Sequence, residues 1–371
     1  MKKTAVLLLV LASPAFALDP TPNDQARFLA GLPQEGSPLV KLAERGEFRS
    51  HAKELDAMWA DAEERQFRAI REWAPLGLPE AVSSTDPLLY VFSGPDFLHA
   101  YTFFPNASTY VLAAVEPVGL PPDVTKLSEG ELGASLRNLR TTLNASLSFS
   151  FFITADMKTD LKATKLTGTL PVLYVFLARC GCHIQNVENV WLDAEGKVVT
   201  DKETKTPGAR ITFLGAKGQQ QTLYYFAANI ASWALKQDAS FLRFCDGLGM
   251  MNGFTKSASY LMHLSEFSVI RDYLIQHCHT MTQDDSGIPW RDFPRETWDV
   301  KAFGWYPGPI TLFKQHFQPD LADYFKNNEV PAIPFGIGYQ WRPKQSTLIY
   351  GVSKTMVRKA LPVVEEAKVP Q

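Results

Sequence analysis

LLYVFSGPDFLHAYTFFPNASTYVLAAV, residues 88–115, gives the clearest indication of fold class in this 371-residue chain. Its first five and last six residues are continuous apolar runs, and such runs are typical of strands buried on both faces, as in parallel sheets. Between them, residues 93–108 carry a helix start at Ser93-Gly94-Pro95 and a stop at Pro105. The connection is long enough to cross over between parallel strands. We therefore predict a βαβ unit here.

The chain before this unit is predicted to be helical. Residues 48–74 contain no Gly or Pro, which favours α-helix. We predict an N-terminal helical region over residues 18–80 and, because no low-complexity linker follows, a single elaborated α/β domain over residues 81–371. The apolar positions that recur at helical spacing, and that we expect to face the core, are Leu55, Trp59, Ala62, Ile70 and Trp73.

The rest of the chain continues the mixture of helices and strands. Ser128 with Glu131 forms a capping box that opens a helix ending near Phe149. We predict an α/β fold with a mainly parallel sheet flanked by helices. The tail, residues 335–353, alternates around Pro343-Lys344-Gln345 and predicts a C-terminal antiparallel hairpin. Other predicted helices cover residues 170–179, 239–246 and 266–277 (with Ser265 as N-cap), and other predicted strands cover residues 183–192, 209–214, 222–228 and 280–283.

The first seventeen residues have the pattern of a secretory signal peptide. Lys2 and Lys3 precede a Leu-rich apolar stretch, and Ala15-Phe16-Ala17 is the small-x-small pattern that signal peptidase recognises. We expect cleavage before Leu18 and export to the periplasm or medium of a bacterium. The formal net charge of −2 gives no electrostatic basis for binding nucleic acid. We also expect no integral membrane segment after cleavage, because no later apolar run is long enough.

Export changes the interpretation of the four cysteines, because an oxidising compartment permits disulfides. Cys180 and Cys182 are too close in sequence to pair well with each other, so a bridge is expected to join one of them to Cys245 or Cys278. Buried free thiols are the first alternative. A metal site is the second, because His183 follows the first pair and histidines flank Cys278, but neither spacing matches a zinc or haem motif. We assign no metal ligand and no cofactor.

Candidate site residues follow from position in the sheet. In open α/β sheets, ligands bind beyond the carboxyl ends of the strands. Asp96, His99, Glu116 and Asp284 each follow an apolar run or the helix start beyond it, and we predict that they meet as a catalytic cluster. Mutual repulsion and burial are expected to raise the pKa of at least one carboxyl group. Helix capping and turn formation are the structural alternative for the same residues.

Two classes of function are compatible with this pattern. The first is an enzyme that acts on a small polar molecule, with a carboxylate as general base and His99 as its partner. The second is a non-catalytic envelope module that binds a ligand or partner through the aromatic loop residues Trp290, Trp298, Trp305 and Tyr306.

Two stretches also carry a resemblance. YVFSGPDFLHAYTFFPNASTYVLAAVEPVG (residues 90–119) and QDDSGIPWRDF (residues 283–293) are similar to those of a family of exported bacterial proteins of unknown function. The resemblance implies export and adds no catalytic residue, substrate or cofactor.

Overall fold

The computed structural model describes residues 19–151, 165–201 and 206–356, so the predicted signal peptide lies outside the described residues. The strands of the described chain are β1 (Leu88–Val91), β2 (Thr109–Ala114), β3 (His183–Leu192), β4 (Val198–Val199), β5 (Thr206–Leu214), β6 (Gln220–Ala227), β7 (Met251–Thr255), β8 (Cys278–Gln283), β9 (Trp298–Gly304) and β10 (Thr347–Ser353). The helices are α1 (Pro22–Leu29), α2 (Val40–Ala43), α3 (Gly46–Ala62), α4 (Arg68–Gly77), α5 (Pro79–Ser83), α6 (Phe97–Phe103), α7 (Glu129–Phe149), α8 (Leu170–Arg179), α9 (Ser232–Gln237), α10 (Ser240–Asp246), α11 (Ser268–His277) and α12 (Pro319–Asn327).

The strands form one mixed sheet in the order β4-β3-β5-β6-β2-β1-β7-β8-β10-β9. The predicted βαβ unit is confirmed: β1 and β2 are parallel neighbours and α6 connects them. The prediction of a mainly parallel sheet is wrong. The five central strands, β6-β2-β1-β7-β8 in sheet order, are parallel to one another. The other five of the nine neighbouring pairs are antiparallel. Short turns, such as the one that joins β5 to β6, allow only antiparallel pairing.

The sheet is buried on both faces, and alternate residues of each central strand point to opposite sides. Leu88 and Tyr90 of β1 pack on one side, beneath the N-terminal helices α1 to α8. Leu89 and Val91 pack on the other side, against α9 to α12. The predicted apolar stripe of the N-terminal helices is buried or half-buried against the first side.

Several predicted boundaries need correction. The helix predicted over residues 48–74 is interrupted by a π-helical turn at Glu63–Phe67. Ser265 does not cap α11; it begins a 3₁₀ turn that precedes that helix. The predicted C-terminal hairpin is wrong, because β10 lies between β8 and β9 and pairs with both. Alternation within β10 places Leu348 and Tyr350 on one side of the sheet and Ile349 on the other.

All four cysteines are free thiols in the structure. Cys180 and Cys182 belong to the core on the first side of the sheet, whereas Cys245 and Cys278 belong to the core on the second side. The predicted bridge is absent, and the sheet itself separates the cysteines that it was predicted to join. In the described part of the chain, no helix combines the length and the apolar character that crossing a bilayer requires.

Candidate functional site

A cavity lies at the carboxyl edge of the parallel strands, and we name it the carboxyl-edge cavity. Four adjacent strands, β6, β2, β1 and β7, each contribute the residues that follow their last position. These include Ser93 after β1, Glu116 after β2, Asn229 after β6 and Lys256 after β7. This is the edge at which open α/β sheets bind ligands.

The cavity has a volume of about 530 Å³, within the range of small-molecule sites. Of its 21 described lining residues, 14 are aliphatic or aromatic, so most of the wall offers contact area rather than hydrogen bonds. The aromatic part of the wall is formed by Tyr90, Phe92, Phe151, Phe267, Phe313 and Tyr339.

Lys256, in the polar part of the wall, forms a buried ion pair with Asp96 behind the wall. Lys256 Nζ lies 2.9 Å from Asp96 Oδ2, and both side chains are almost fully buried. The Lys256 ammonium also donates to the carbonyl oxygen of Ser150, and Tyr90 donates its hydroxyl to the same Asp96 oxygen at 2.9 Å. Burial alone would raise the pKa of Asp96, but His99 and Lys256 outweigh it and hold that pKa well below its usual range. Asp96 is therefore a charged carboxylate that positions Lys256 and Tyr90 through these contacts.

His99 extends this network away from the cavity. Its Nδ1 lies 2.9 Å from Asp96 Oδ1 and its Nε2 lies 3.1 Å from Ser150 Oγ. Burial lowers the pKa of His99, so the neutral ring donates from Nδ1 to Asp96 and accepts at Nε2.

The order Ser150, His99, Asp96 is that of a Ser-His-Asp triad. However, none of the three residues lines the cavity, and each is at most 1% exposed. The Gln66 amide also donates to Ser150 Oγ at 3.1 Å. A substrate carbonyl has no access to this hydroxyl in the structure, so the arrangement is a satisfied hydrogen-bond network.

Asp284 and Asp285 hold the loop that follows β7. Asp284 Oδ2 accepts the backbone N–H of Ser257 at 2.9 Å, and Asp285 Oδ2 accepts the hydroxyl of Tyr260 at 2.6 Å. Burial raises the pKa of Asp284, although hydrogen bonds from Ser286 and Ser257 oppose the change. Burial and the neighbouring Asp284 charge raise the pKa of Asp285 to about 7. The raised pKa values in this pair come from burial and from two carboxyl groups adjacent in sequence, not from repulsion among the four predicted site residues.

The same loop stores backbone strain beside the cavity. Ser257, Ser259 and Tyr260 have φ values of 50°, 51° and 55°, a left-handed conformation that costs free energy in residues other than glycine. Ser257 and Ser259 line the cavity, and the hydroxyl of Tyr339 holds them by bonding Ser257 O and Ser259 N. Strain of this kind persists where the surrounding contacts fix the loop, as the two aspartates and Tyr339 do here.

The four predicted site residues are therefore only partly brought together. Asp96 and His99 are in direct contact, but behind the wall rather than in it. Asp284 acts on the cavity through Ser257. Glu116 lines the cavity, and its Oε2 is buried without a hydrogen-bond partner among the described residues. Hydrogen-bonding and capping roles account for Asp96 and Asp284, which leaves Glu116 as the predicted residue that is open to a ligand role.

Lys256 and the loop that follows it were not predicted from the sequence. Strand β7 was not predicted either, because its sequence Met251-Asn-Gly-Phe-Thr255 has neither an apolar run nor alternation. Of the four aromatic residues proposed as a binding surface, Trp290, Trp298 and Tyr306 are buried and only Trp305 is exposed.

Within the described ranges, no group of three or more His, Cys, Asp or Glu side chains is arranged to hold a metal ion. No protein-family model, curated protein or solved structure matches this chain.

Proposed function

We propose that this chain binds a small amphipathic molecule in the carboxyl-edge cavity. The observation that supports this most is the composition of the cavity wall. The residues that follow four parallel strands form a mainly apolar lining, and one of these residues is the buried Lys256. The lining favours a molecule with an apolar body over the small polar molecule expected from the sequence. Most small-molecule sites combine such an apolar lining with a few convergent polar groups.

The polar end of the ligand is proposed to meet Lys256. Its ammonium group has three N–H donors, and the described chain supplies two acceptors, Asp96 and the Ser150 carbonyl. The Ser257 hydroxyl, which also lies in the wall, has no partner among the described residues. Both groups can donate, so a carboxylate or another hydrogen-bond acceptor is the matching chemistry.

Isothermal titration of the mature chain with decanoate, decanol and decylamine tests this proposal. We expect decanoate to bind most tightly and decylamine at least tenfold more weakly, because its ammonium group faces that of Lys256. Lys256→Met should weaken decanoate binding more than decanol binding. Equal affinities for the three probes would contradict the role of Lys256.

Two substitutions that fill the cavity test its location. Ala114 and Ala228 lie at the ends of β2 and β6 and line the cavity, so Ala114→Leu and Ala228→Leu should each weaken decanoate binding at least tenfold. Ala216→Leu, in the exposed turn between β5 and β6, is the matched control. If both cavity variants fold and bind decanoate as the wild type does, the ligand lies elsewhere.

A second candidate is catalysis in the same cavity, and the unpartnered oxygen of Glu116 is the observation that favours it. A carboxylate beside a bound acyl ester can act as general base toward water. Under this candidate, 4-nitrophenyl decanoate is hydrolysed and Glu116→Gln loses turnover, while decanoate affinity changes less than twofold. Absence of turnover in the wild type leaves binding as the function. In either case we propose that the mature protein works in the bacterial periplasm or outside the cell.

A further inference from the structure

Glu116, a buried residue in the wall of the carboxyl-edge cavity, has a hydrogen-bond acceptor that nothing uses. The residue is 2% exposed, and no described group donates to its Oε2. Tyr225 lies beside it, but the single hydroxyl proton of Tyr225 goes to the backbone carbonyl oxygen of Glu116 at 2.9 Å. A buried acceptor without a donor costs free energy, so a ligand that brings a donor to Oε2 gains affinity there.

Two neighbouring polar groups at the same edge already have partners. Asn229 Oδ1 accepts the backbone N–H of Ala231 at 3.1 Å, and the Ser93 hydroxyl donates to the Gly94 carbonyl oxygen at 2.8 Å. Both Asn229 and Ser93 line the cavity, so a ligand meets them in a satisfied state. Glu116 Oε2, which has no partner among the described residues, is left for a ligand donor.

Glu116 and Lys256 lie on the same side of the sheet. Tyr225, whose hydroxyl bonds Glu116, belongs to the core on the first side. So does Tyr90, which bonds Asp96, the partner of Lys256. Glu116 follows β2 and Asp96 follows β1, and these two strands are neighbours about 5 Å apart. One ligand can therefore meet the lysine and the glutamate with two groups that are close together in its own structure.

The donor that suits Glu116 carries no charge of its own. A ligand ammonium group would also face the ammonium group of Lys256, whereas a hydroxyl group brings a donor without that repulsion. We propose that the ligand is an amphipathic hydroxy acid, whose carboxylate meets Lys256 and whose hydroxyl group, close to the carboxylate, donates to Glu116 Oε2. The role of Glu116 rests on the proposed function, since the hydroxyl group belongs to the same ligand. Glu116 is then the residue that selects hydroxy acids over plain fatty acids.

Isothermal titration of the full mature chain with decanoate, 3-hydroxydecanoate and 10-hydroxydecanoate tests the role of Glu116. We expect the tighter-binding enantiomer of 3-hydroxydecanoate to bind at least about fivefold more tightly than decanoate, because its hydroxyl group meets Glu116. We expect 10-hydroxydecanoate to bind at least about fivefold more weakly than decanoate, because its hydroxyl group would be buried in the aromatic wall.

Glu116→Met removes the acceptor and keeps an unbranched side chain. In this variant the affinities for 3-hydroxydecanoate and decanoate should lie within about twofold of each other, since neither acid then finds an acceptor for a hydroxyl group. Glu195→Met, in the exposed turn between β3 and β4, is the matched control and should keep the wild-type preference for the hydroxy acid. The two ligands are compared within each protein, so a general change in stability does not alter the ratio.

The titrations separate failure of the hydroxy-acid ligand from failure of the proposed function. If the wild type binds decanoate but gains nothing from the 3-hydroxyl group, or binds the 3- and 10-hydroxy acids equally, the role of Glu116 is overturned and the proposed function stands. A Glu116→Met variant that keeps the full preference would also overturn it. If none of the three acids binds, the proposed function fails and the hydroxy-acid ligand fails with it. If Glu116→Met does not fold, the wild-type comparison of the two hydroxy acids decides.

Discussion

Replacing Lys256 with methionine removes the cation that the buried Asp96 carboxylate faces. The two side chains are 2% and 1% exposed, so water replaces little of the lost interaction. Tyr90 and His99 still donate to Asp96, but the carboxylate loses the lysine that is paired with it among the described residues. Breaking a buried pair by removing one member costs about 3–5 kcal/mol, and we expect about 3 kcal/mol because these hydrogen bonds remain.

The assay is urea denaturation of Lys256→Met, Asp96→Asn and the double variant. Each single change leaves one uncompensated charge, whereas the double variant removes both. The double variant should therefore lose no more than either single variant, which corresponds to a coupling of at least about 3 kcal/mol. Lys217→Met, at an exposed turn, is the control and should change stability by less than about 0.5 kcal/mol. Additive losses in the double variant would refute the ion pair.

Three further predictions concern the loop after β7 and the N-terminus. Burial raises the pKa of Asp285 to about 7 in the folded chain, against about 3.9 in the unfolded chain, so this carboxyl group stabilises the fold below pH 4 and that stabilisation, up to about 4 kcal/mol, is lost by pH 8. The free energy of unfolding of Asp285→Asn should therefore rise relative to that of the wild type between pH 5 and 8. Urea denaturation curves that give the same difference at every pH would contradict this. Gly338→Ala should lower the urea midpoint sharply, because Gly338 has φ +70° and a Cβ there would lie 1.8 Å from Asp284 Oδ2. Gly36→Ala is the control, because Gly36 has a similar φ of +76° but open space around it, so this variant measures the cost of the backbone conformation alone. An equal decrease in the urea midpoint of both variants would refute the clash with Asp284. The intact mass of the exported protein should correspond to a chain that begins at Leu18, and a membrane-bound chain that retains Met1 would disprove cleavage.

The sequence predicted the central part of the fold because that part follows local rules. The apolar runs that begin at Leu88 and Tyr110 form strands β1 and β2, and residues 88–91 and 110–114 of these runs are buried. Because Glu116 and Ser93 directly follow predicted strands, their place at the cavity also followed from sequence. The antiparallel flanks did not, since nothing local to β10 indicates that it inserts between β8 and β9.

Strand β7 shows why the key residue of the site was missed. Its polar residues are satisfied by tertiary contacts: Asn252 donates to Ser84 Oγ and accepts from Thr280. Gly253 is needed because a Cβ there would lie 2.5 Å from Met281 Sδ. Both requirements come from neighbouring strands that are distant in sequence. Without β7, Lys256 had no predicted position, and Asp96 could be taken for a catalytic carboxylate rather than the partner of a buried lysine.

A crystal structure of the mature chain soaked with decanoate is the most direct test of ligand binding in the carboxyl-edge cavity. We predict an alkyl chain within the aromatic wall formed by Phe92, Phe267 and Phe313, with the carboxylate within hydrogen-bond distance of Lys256 Nζ. Density for decanoate at another site, with the carboxyl-edge cavity holding only water, would contradict it.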